Sequence, residues 1–187
     1  SSIGSDGGRD YATLDAWWAS LPAILTEAEQ AELYNDSEFS TTGTTLSGIT
    51  TSAAFDITIT TAASQSFRDH ASASTNALTY NASNGVAITS SSGYGTALTV
   101  SIDDFTFRYI QVTHTTQTGT AFAMGAVPAR KGLIDSCIFV SEYRLNSGVI
   151  YIRGTPTTLV NCLLELRGTT GTASDIVRQI MGTGTKV

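Results

Sequence analysis

A chain of 187 residues has room for one sizeable core. Charged residues make up 14% of it, against about 25% in ordinary soluble domains, and the Ser, Thr, Gly and Ala that replace them suit strands and tight turns better than long helices. The net charge of −6 argues against a nucleic-acid partner, which needs clustered Lys and Arg, whereas only Arg130-Lys131 adjoin here. No stretch is apolar for long enough to predict a transmembrane helix. The polar, Gly-rich start predicts no leader peptide.

In chain order, residues 1–9 are rich in Gly and Ser and are expected to be loose. Residues 13–21 predict a short amphipathic helix: Thr13 suits the N-cap, Asp15 the first turn, and Pro22 follows the end. Leu14, Trp17 or Trp18, and Leu21 would form its apolar face, and the helix would cover an open end of whatever follows. Residues 26–31 are expected to add a helical turn. From Glu32 onward the signal is strand and turn, with early strands marked by Leu33-Tyr34, Leu46, Phe55-Asp56-Ile57-Thr58-Ile59, Leu78-Thr79-Tyr80 and Val86-Ala87-Ile88. The Ser-rich stretch 64–76 predicts a long lateral loop.

Residues 97–166 contain a repeat that keeps register on two strands at once. Leu98, Phe122 and Ile150 are equivalent at steps of 24 and 28, and Phe107, Ile134 and Leu159 at steps of 27 and 25, so both series advance by 52. The middle unit carries three extra residues, placed within Ala126-Val127-Pro128-Ala129-Arg130. One such coil cannot bury its inward face alone, whereas stacked coils share a core, so the period predicts a parallel β-solenoid. In the second strand Phe107, Ile110 and Val112 match Ile134, Cys137 and Phe139, then Leu159, Cys162 and Leu164, all inward. Between them Arg108-Tyr109, Asp135-Ser136 and Val160-Asn161 form a sharp corner, where polar side chains can satisfy backbone groups. Outward positions are Gln111, Ile138 and Leu163, then Thr113, Val140 and Glu165. Ile138, Val140 and Leu163 are large aliphatics where polar residues are expected, so they are the candidate interface. The alternative is that the tail 169–187 folds back over them; its segment Asp175–Ile180 suits a last strand or a short helix.

The corner motifs, Ile134-Asp135-Ser136-Cys137-Ile138-Phe139 and Leu159-Val160-Asn161-Cys162-Leu163-Leu164, resemble coils of right-handed parallel β-helix proteins. The opening from Ile3-Gly4-Ser5-Asp6-Gly7-Gly8 to Trp17, with Ala31–Asp36 and Asp56–Thr60, resembles the N-terminal region of β-helix proteins of bacteriophage virions. The resemblance implies an all-β, right-handed parallel β-helix with a short N-terminal capping helix. It would be a single domain over 1–187, divided into a cap segment 1–31, coils 32–168 and a tail or last coil 169–187. It also implies a virion location, homotrimers and contacts with other virion proteins. The family's enzymes carry carboxylate clusters that are not evident in this sequence.

Candidate chemistry is sparse. Asp103-Asp104 suits either a Ca²⁺ ligand pair or a turn that caps backbone groups. His70 lies beside Asp69, and His114 ends a strand, but neither has a nucleophile at a telling spacing. Glu142 and Glu165 fall at strand ends on successive coils, and a glycosidase needs two carboxylates roughly 5–10 Å apart. The rung Thr113, Val140, Glu165, however, holds one acid. Tyr80, Tyr94, Tyr109, Tyr143 and Tyr151 offer faces on which sugars stack, but they are scattered, which suits ordinary strand aromatics better than a sugar platform. Sequons at Asn35 and Asn81 matter only in a eukaryotic secretory pathway. Cys137 and Cys162 fit no zinc pattern; equivalent positions on adjacent coils, about 4.8 Å apart, suit either buried thiols or a disulfide.

No catalytic, cofactor or metal residue is therefore assigned and no cofactor is expected. The expected function is that of a non-enzymatic structural protein of a phage virion surface, a capsid decoration (cement) protein or a head or tail fibre module. The alternatives are a tailspike-like polysaccharide hydrolase or lyase, and an adhesive module that binds a cell-surface glycan. Acids converging with Arg or Lys in one groove would favour the enzyme.

Overall fold

In a computed structural model the described residues are 1–70, 79–91, 95–115, 119–124, 131–142, 149–153, 157–167 and 177–180. Their strands wind in successive coils, each contributing one strand to each of three sheets. The first sheet holds β1 (Ser2–Ile3), β2 (Glu29–Leu33), β5 (Ile57–Thr61), β8 (Asp104–Arg108), β11 (Lys131–Asp135) and β14 (Thr157–Val160). The second holds β3 (Phe39–Thr41), β6 (Ala87–Ser90), β9 (Gln111–His114), β12 (Ile138–Ser141) and β15 (Leu163–Leu166). The third holds β4 (Thr44–Ser47), β7 (Gly95–Ser101), β10 (Gly119–Met124), β13 (Ile150–Arg153) and β16 (Val177–Ile180). Every strand-to-strand pairing is parallel, so the chain is an all-β parallel β-helix of about five turns.

The registers are those the repeat dictates. Phe122 pairs with Leu98 and Ile150, Ile134 with Phe107 and Leu159, and Ile138 with Gln111 and Leu163. The columns also run upstream, where apolar spacing is weaker: Ala31 pairs with Ile59 and Ile59 with Phe107. One core results, with Phe107, Phe122 and Phe139 in edge-to-face or tilted contact at 5.6 and 5.4 Å. Of the inward set, Leu98, Val100, Phe107, Ile110, Val112, Phe122, Ile134, Cys137, Phe139, Ile150 and Ile152 are buried, while Leu159, Cys162 and Leu164 are partly buried.

The corners after β8, β11 and β14 share a conformational signature. Tyr109, Ser136 and Asn161 all have left-handed φ, at 63°, 54° and 54°. That region is sterically costly for most side chains and tolerated best by Gly and Asn. The reversal keeps the ladder unbroken: the Tyr109 N–H donates to the Asp135 carbonyl and the Ser136 N–H to the Val160 carbonyl. Neighbouring coils, not the polar side chains, therefore satisfy these backbone groups.

The predicted helix spans Leu14–Ser20 (α1), with the Thr13 side chain accepting from the Ala16 N–H as N-cap. Leu14, Trp17 and Trp18 are buried in the same core as Leu33 and Leu46, α1 packs against β4, and the Trp18 indole donates to the Ser47 carbonyl at 3.0 Å. Two sequence expectations nearby are corrected. Residues 1–9 are ordered, since β1 extends the first sheet beneath β2 and Arg9 forks onto Asp36 at 2.8 Å while lying over the Tyr34 ring. Residues 29–33 form a strand, not a helical turn, because edge pairing to both β1 and β5 outweighs the local helical preference of Glu29-Gln30-Ala31. The coils thus begin at Glu29, ahead of the expected boundary at residue 32. At the other end, β16 pairs with β13, so Val177–Ile180 is a last strand and not a helix. The extra residues within 126–130 lie outside the described residues.

Candidate functional site beneath the lateral loop

The second sheet carries chemistry on its outward face, and a long excursion from the coil covers it. After β5 the chain turns at Ser64, whose φ is 63°, leaves the coil, and returns through a 3₁₀ turn at Ala82–Asn84 to β6. Residues 64–70 and 79–86 thus lie off the coil where the lateral loop is predicted, while 71–78 lie outside the described residues; of the expected strand Leu78-Thr79-Tyr80, Thr79 and Tyr80 are on the return limb and not in a strand.

The loop is anchored at several points. Gln111, expected to face solvent, is fully buried. Its amide donates to the carbonyls of Asn81 at 3.0 Å and Gly85 at 3.1 Å, and accepts from the Asn81 N–H at 2.8 Å. Gly85 closes the loop on itself, since a Cβ there would lie 2.2 Å from the Phe67 nitrogen. Phe67 and Tyr80 then pack on Ile138, Val140 and Leu163.

This packing corrects the candidate interface. Ile138 is 1% exposed and Val140 0%, so neither is open to a second copy of the chain; Leu163 is half-buried at the edge. The residues packed on it are Phe67 and Tyr80 of the lateral loop; of the tail offered as the alternative cover, residues 169–176 and 181–187 lie outside the described residues.

Beside this cluster the strand-end acids converge with a cation. Arg167 forks onto Glu165, with Nε at 2.8 Å and Nη2 at 3.0 Å, lies 3.9 Å from Glu142, and donates to Thr79 Oγ1 at 2.9 Å. Tyr80 donates its hydroxyl to Glu38. Burial, then the hydrogen bond to Glu38, pushes the Tyr80 phenol well above its ordinary value, so it stays a donor at all ordinary pH. The fork onto Glu165 raises the Arg167 guanidinium further. Arg167 thus ion-pairs with both strand-end acids, Glu142 and Glu165. As it stands the group clamps the return limb of the loop to the last coils.

The other candidates disperse. Asp104 is buried at the start of β8, with its N–H on Thr51 Oγ1 at 2.9 Å, and the Asp103 carbonyl accepts from the Lys131 N–H. His70 is exposed, whereas His114 is fully buried in a column with Ser90 and Ser141. Tyr80, Tyr109 and Tyr151 sit on the loop, at a corner and on the third sheet; Tyr94 and Tyr143 lie outside the described residues. Among the described residues no group of His, Cys, Asp and Glu is placed to hold a metal ion. No helix is long and apolar enough to cross a membrane among them. Cys137 and Cys162 are free thiols, each near a backbone carbonyl, and burial pushes both above the ordinary thiol value. Gln111 is what the sequence reading missed; its signal is an amide, able to donate and accept at once, at an outward position flanked by aliphatics on later coils. No known protein family, curated protein or solved structure matches the chain.

Proposed function

We propose that this chain is a non-enzymatic structural protein of a bacteriophage virion surface, either a capsid decoration (cement) protein or a head or tail fibre module. The observation that carries the reading is mechanical: coils in register share one continuous core, β1 and α1 close its first coil, and loop residues Phe67 and Tyr80 cover an apolar outer face. Such a stack transmits load along its axis and offers its lateral surfaces for attachment. The placement on a virion follows from the resemblance of the opening segment and the corner motifs, and those same segments build the cap and the corners. The chain acts as a homotrimer bound to other virion proteins. Ile138 and Val140 contribute nothing to that association, since they are already covered.

The test is reconstitution. Particles assembled without this chain from the structural genes encoded beside it should take up the purified protein and carry it through sedimentation. Light scattering should give three times the chain mass of 19.6 kDa. Failure to bind such particles overturns the placement, and a monomer overturns the trimer.

A second reading, a polysaccharide hydrolase or lyase, is favoured by one observation, the convergence of Tyr80, Glu142, Glu165 and Arg167. Release of reducing or unsaturated ends from a polysaccharide panel, lost in Glu165→Gln, would establish it in place of the first.

A further inference from the structure

A second polar site lies at the corner between the first and second sheets, on the far side of the loop base from the Arg167 clamp. Here an open cleft of about 500 Å³ is bounded by Thr61, Ser64, Ser66, Arg68, Asp69 and Tyr109. That size lies within the range of small-molecule sites, roughly 300–1,000 Å³.

Arg68 differs from the arginines around it. Arg9, Arg108 and Arg167 each face a carboxylate within 4.0 Å. Arg68 faces none among the described residues. Its guanidinium rests over the Tyr109 ring, 5.3 Å from the centroid, and Nη1 donates to Ser136 Oγ at 3.2 Å. The Ser136 hydroxyl in turn donates a hydrogen bond to Asp135 Oδ1 at 2.9 Å, and Asp135 is ion-paired with Arg108 at 3.6 Å. The ring and the hydroxyl therefore fix the plane of the guanidinium without neutralising it. A guanidinium carries five N–H donors in a rigid fork that matches a carboxylate in two-point contact, and among the described residues one of Arg68's donors is engaged, by Ser136.

Asp69, which also lines the cleft, narrows the ligand further. The backbone N–H of Ser66 donates to Asp69 Oδ2 at 3.2 Å, which holds this carboxylate at the cleft. A dianion such as phosphate would meet both Asp69 and a chain of net charge −6. A single carboxylate on Arg68, with hydroxyls beside it to donate to Asp69 and to exchange hydrogen bonds with Thr61 and Ser64, satisfies both charged groups.

We propose that this cleft binds an acidic sugar unit, a uronate, with its carboxylate on Arg68 and its ring hydroxyls on Asp69 and the Ser and Thr side chains. The site is separate from the Arg167 clamp, so the proposal stands whether or not the chain is a virion part.

The experiment is an NMR titration of the intact protein with sodium glucuronate, glucose and sodium glutarate, following the Arg68 Nε–H and the Tyr109 ring. Glucuronate should move both signals saturably. Glucose, which lacks the carboxylate, and glutarate, which lacks the hydroxyls, should each bind at least about tenfold more weakly, the loss of one good charged or polar contact. Arg68→Gln should abolish the response, and Arg68→Lys should weaken it about tenfold because an ammonium cannot fork. Should Arg68→Gln fail to fold, Asp69→Asn tests the hydroxyl contacts instead, and it should bring glucuronate and glutarate to equal affinity. No shift with glucuronate, equal binding of glutarate by the parent protein, or unaltered binding by folded Arg68→Gln would each overturn the proposal.

Discussion

Trp17 and Trp18 are adjacent, share one chemistry and differ in one respect, which allows the cap to be tested by a matched pair of substitutions. Trp17 is 0% exposed and its indole N–H has no hydrogen-bond partner among the described residues. Trp18 is 9% exposed and donates to the Ser47 carbonyl at 3.0 Å. Replacing either with Phe trims the same atoms and costs roughly 1–2 kcal/mol of apolar contact. At Trp17 the change also removes a buried orphan donor, whose burial costs about 1–3 kcal/mol, so Trp17→Phe should lie within about 1 kcal/mol of the parent. At Trp18 it deletes a hydrogen bond worth about 1 kcal/mol net, so Trp18→Phe should cost about 2–3 kcal/mol. For a chain of this length each kcal/mol moves Tm by about 2–4 °C. Trp17→Ala, which empties a fully enclosed site, should cost about 3–5 kcal/mol and serves as the positive control. Urea unfolding and calorimetry measure all three. If Trp17→Phe is the more damaging of the two Phe variants by about 1 kcal/mol or more, the assignment of a satisfied and an orphan indole is wrong.

Asn161 is exposed and left-handed, so Asn161→Gly should be near neutral in urea unfolding while Asn161→Ala costs about 1 kcal/mol; equal stability of the two would remove the corner strain argued above. Ile138→Lys places a charge beneath Phe67 and Tyr80 and should cost about 3–5 kcal/mol; unchanged thermal stability would mean the loop does not seal that face. Hydrogen bonding to Arg9 holds the Asp36 carboxyl below its ordinary value, so the pair's contribution is present above about pH 4 and is lost as pH falls through the lowered native value. Asp36→Asn should flatten that part of the acid dependence of Tm at low salt, and an identical acid profile would refute the pairing. Because both thiols are raised, neither Cys137 nor Cys162 should react with iodoacetamide at neutral pH in the folded protein, and the partly buried Cys162 should react first as pH rises; prompt labelling of Cys137 would contradict its burial.

The coils were legible because stacking imposes a rule that each strand must obey by itself. An inward position must be apolar, the next must not be, and the following coil must repeat the pattern about 25 residues later. Leu98, Phe122 and Ile150 obey it, and so the register could be read to the residue. The first coils were less legible because Thr can fill an inward position where a later coil uses Leu, as buried Thr44 does opposite Leu98. The N-terminal strand was hidden for a different reason. Gly and Ser there look like linker composition, but order comes from Ser2 and Asp10 exchanging hydrogen bonds and from one Arg9–Asp36 fork, which no periodicity announces.

The outward face was misread because its partner is remote. Ile138 and Val140 broke the alternation, and an apolar outward patch does demand a cover. That cover is Phe67, 71 residues away by sequence number, set in a stretch whose Ser-rich composition predicts solvent exposure. The surrounding polar residues identify it only in combination: Gln111 needs an amide-sized partner on both sides, Gly85 permits the close approach to Phe67, and Arg167 reaches Thr79 while holding Glu165. Each is unremarkable alone, and together they make the loop part of the folded body. The same anchoring places Arg68 at the corner: Phe67 is pinned on the second sheet, so the next residue must project beside the turn, over Tyr109 and onto Ser136. The seal on the apolar face and the uronate cleft thus depend on a single docking event. Releasing the loop, as Ile138→Lys should do, would therefore abolish glucuronate binding at Arg68 without touching any residue of the cleft, and retention of binding in that variant would show that the corner is built independently of the loop.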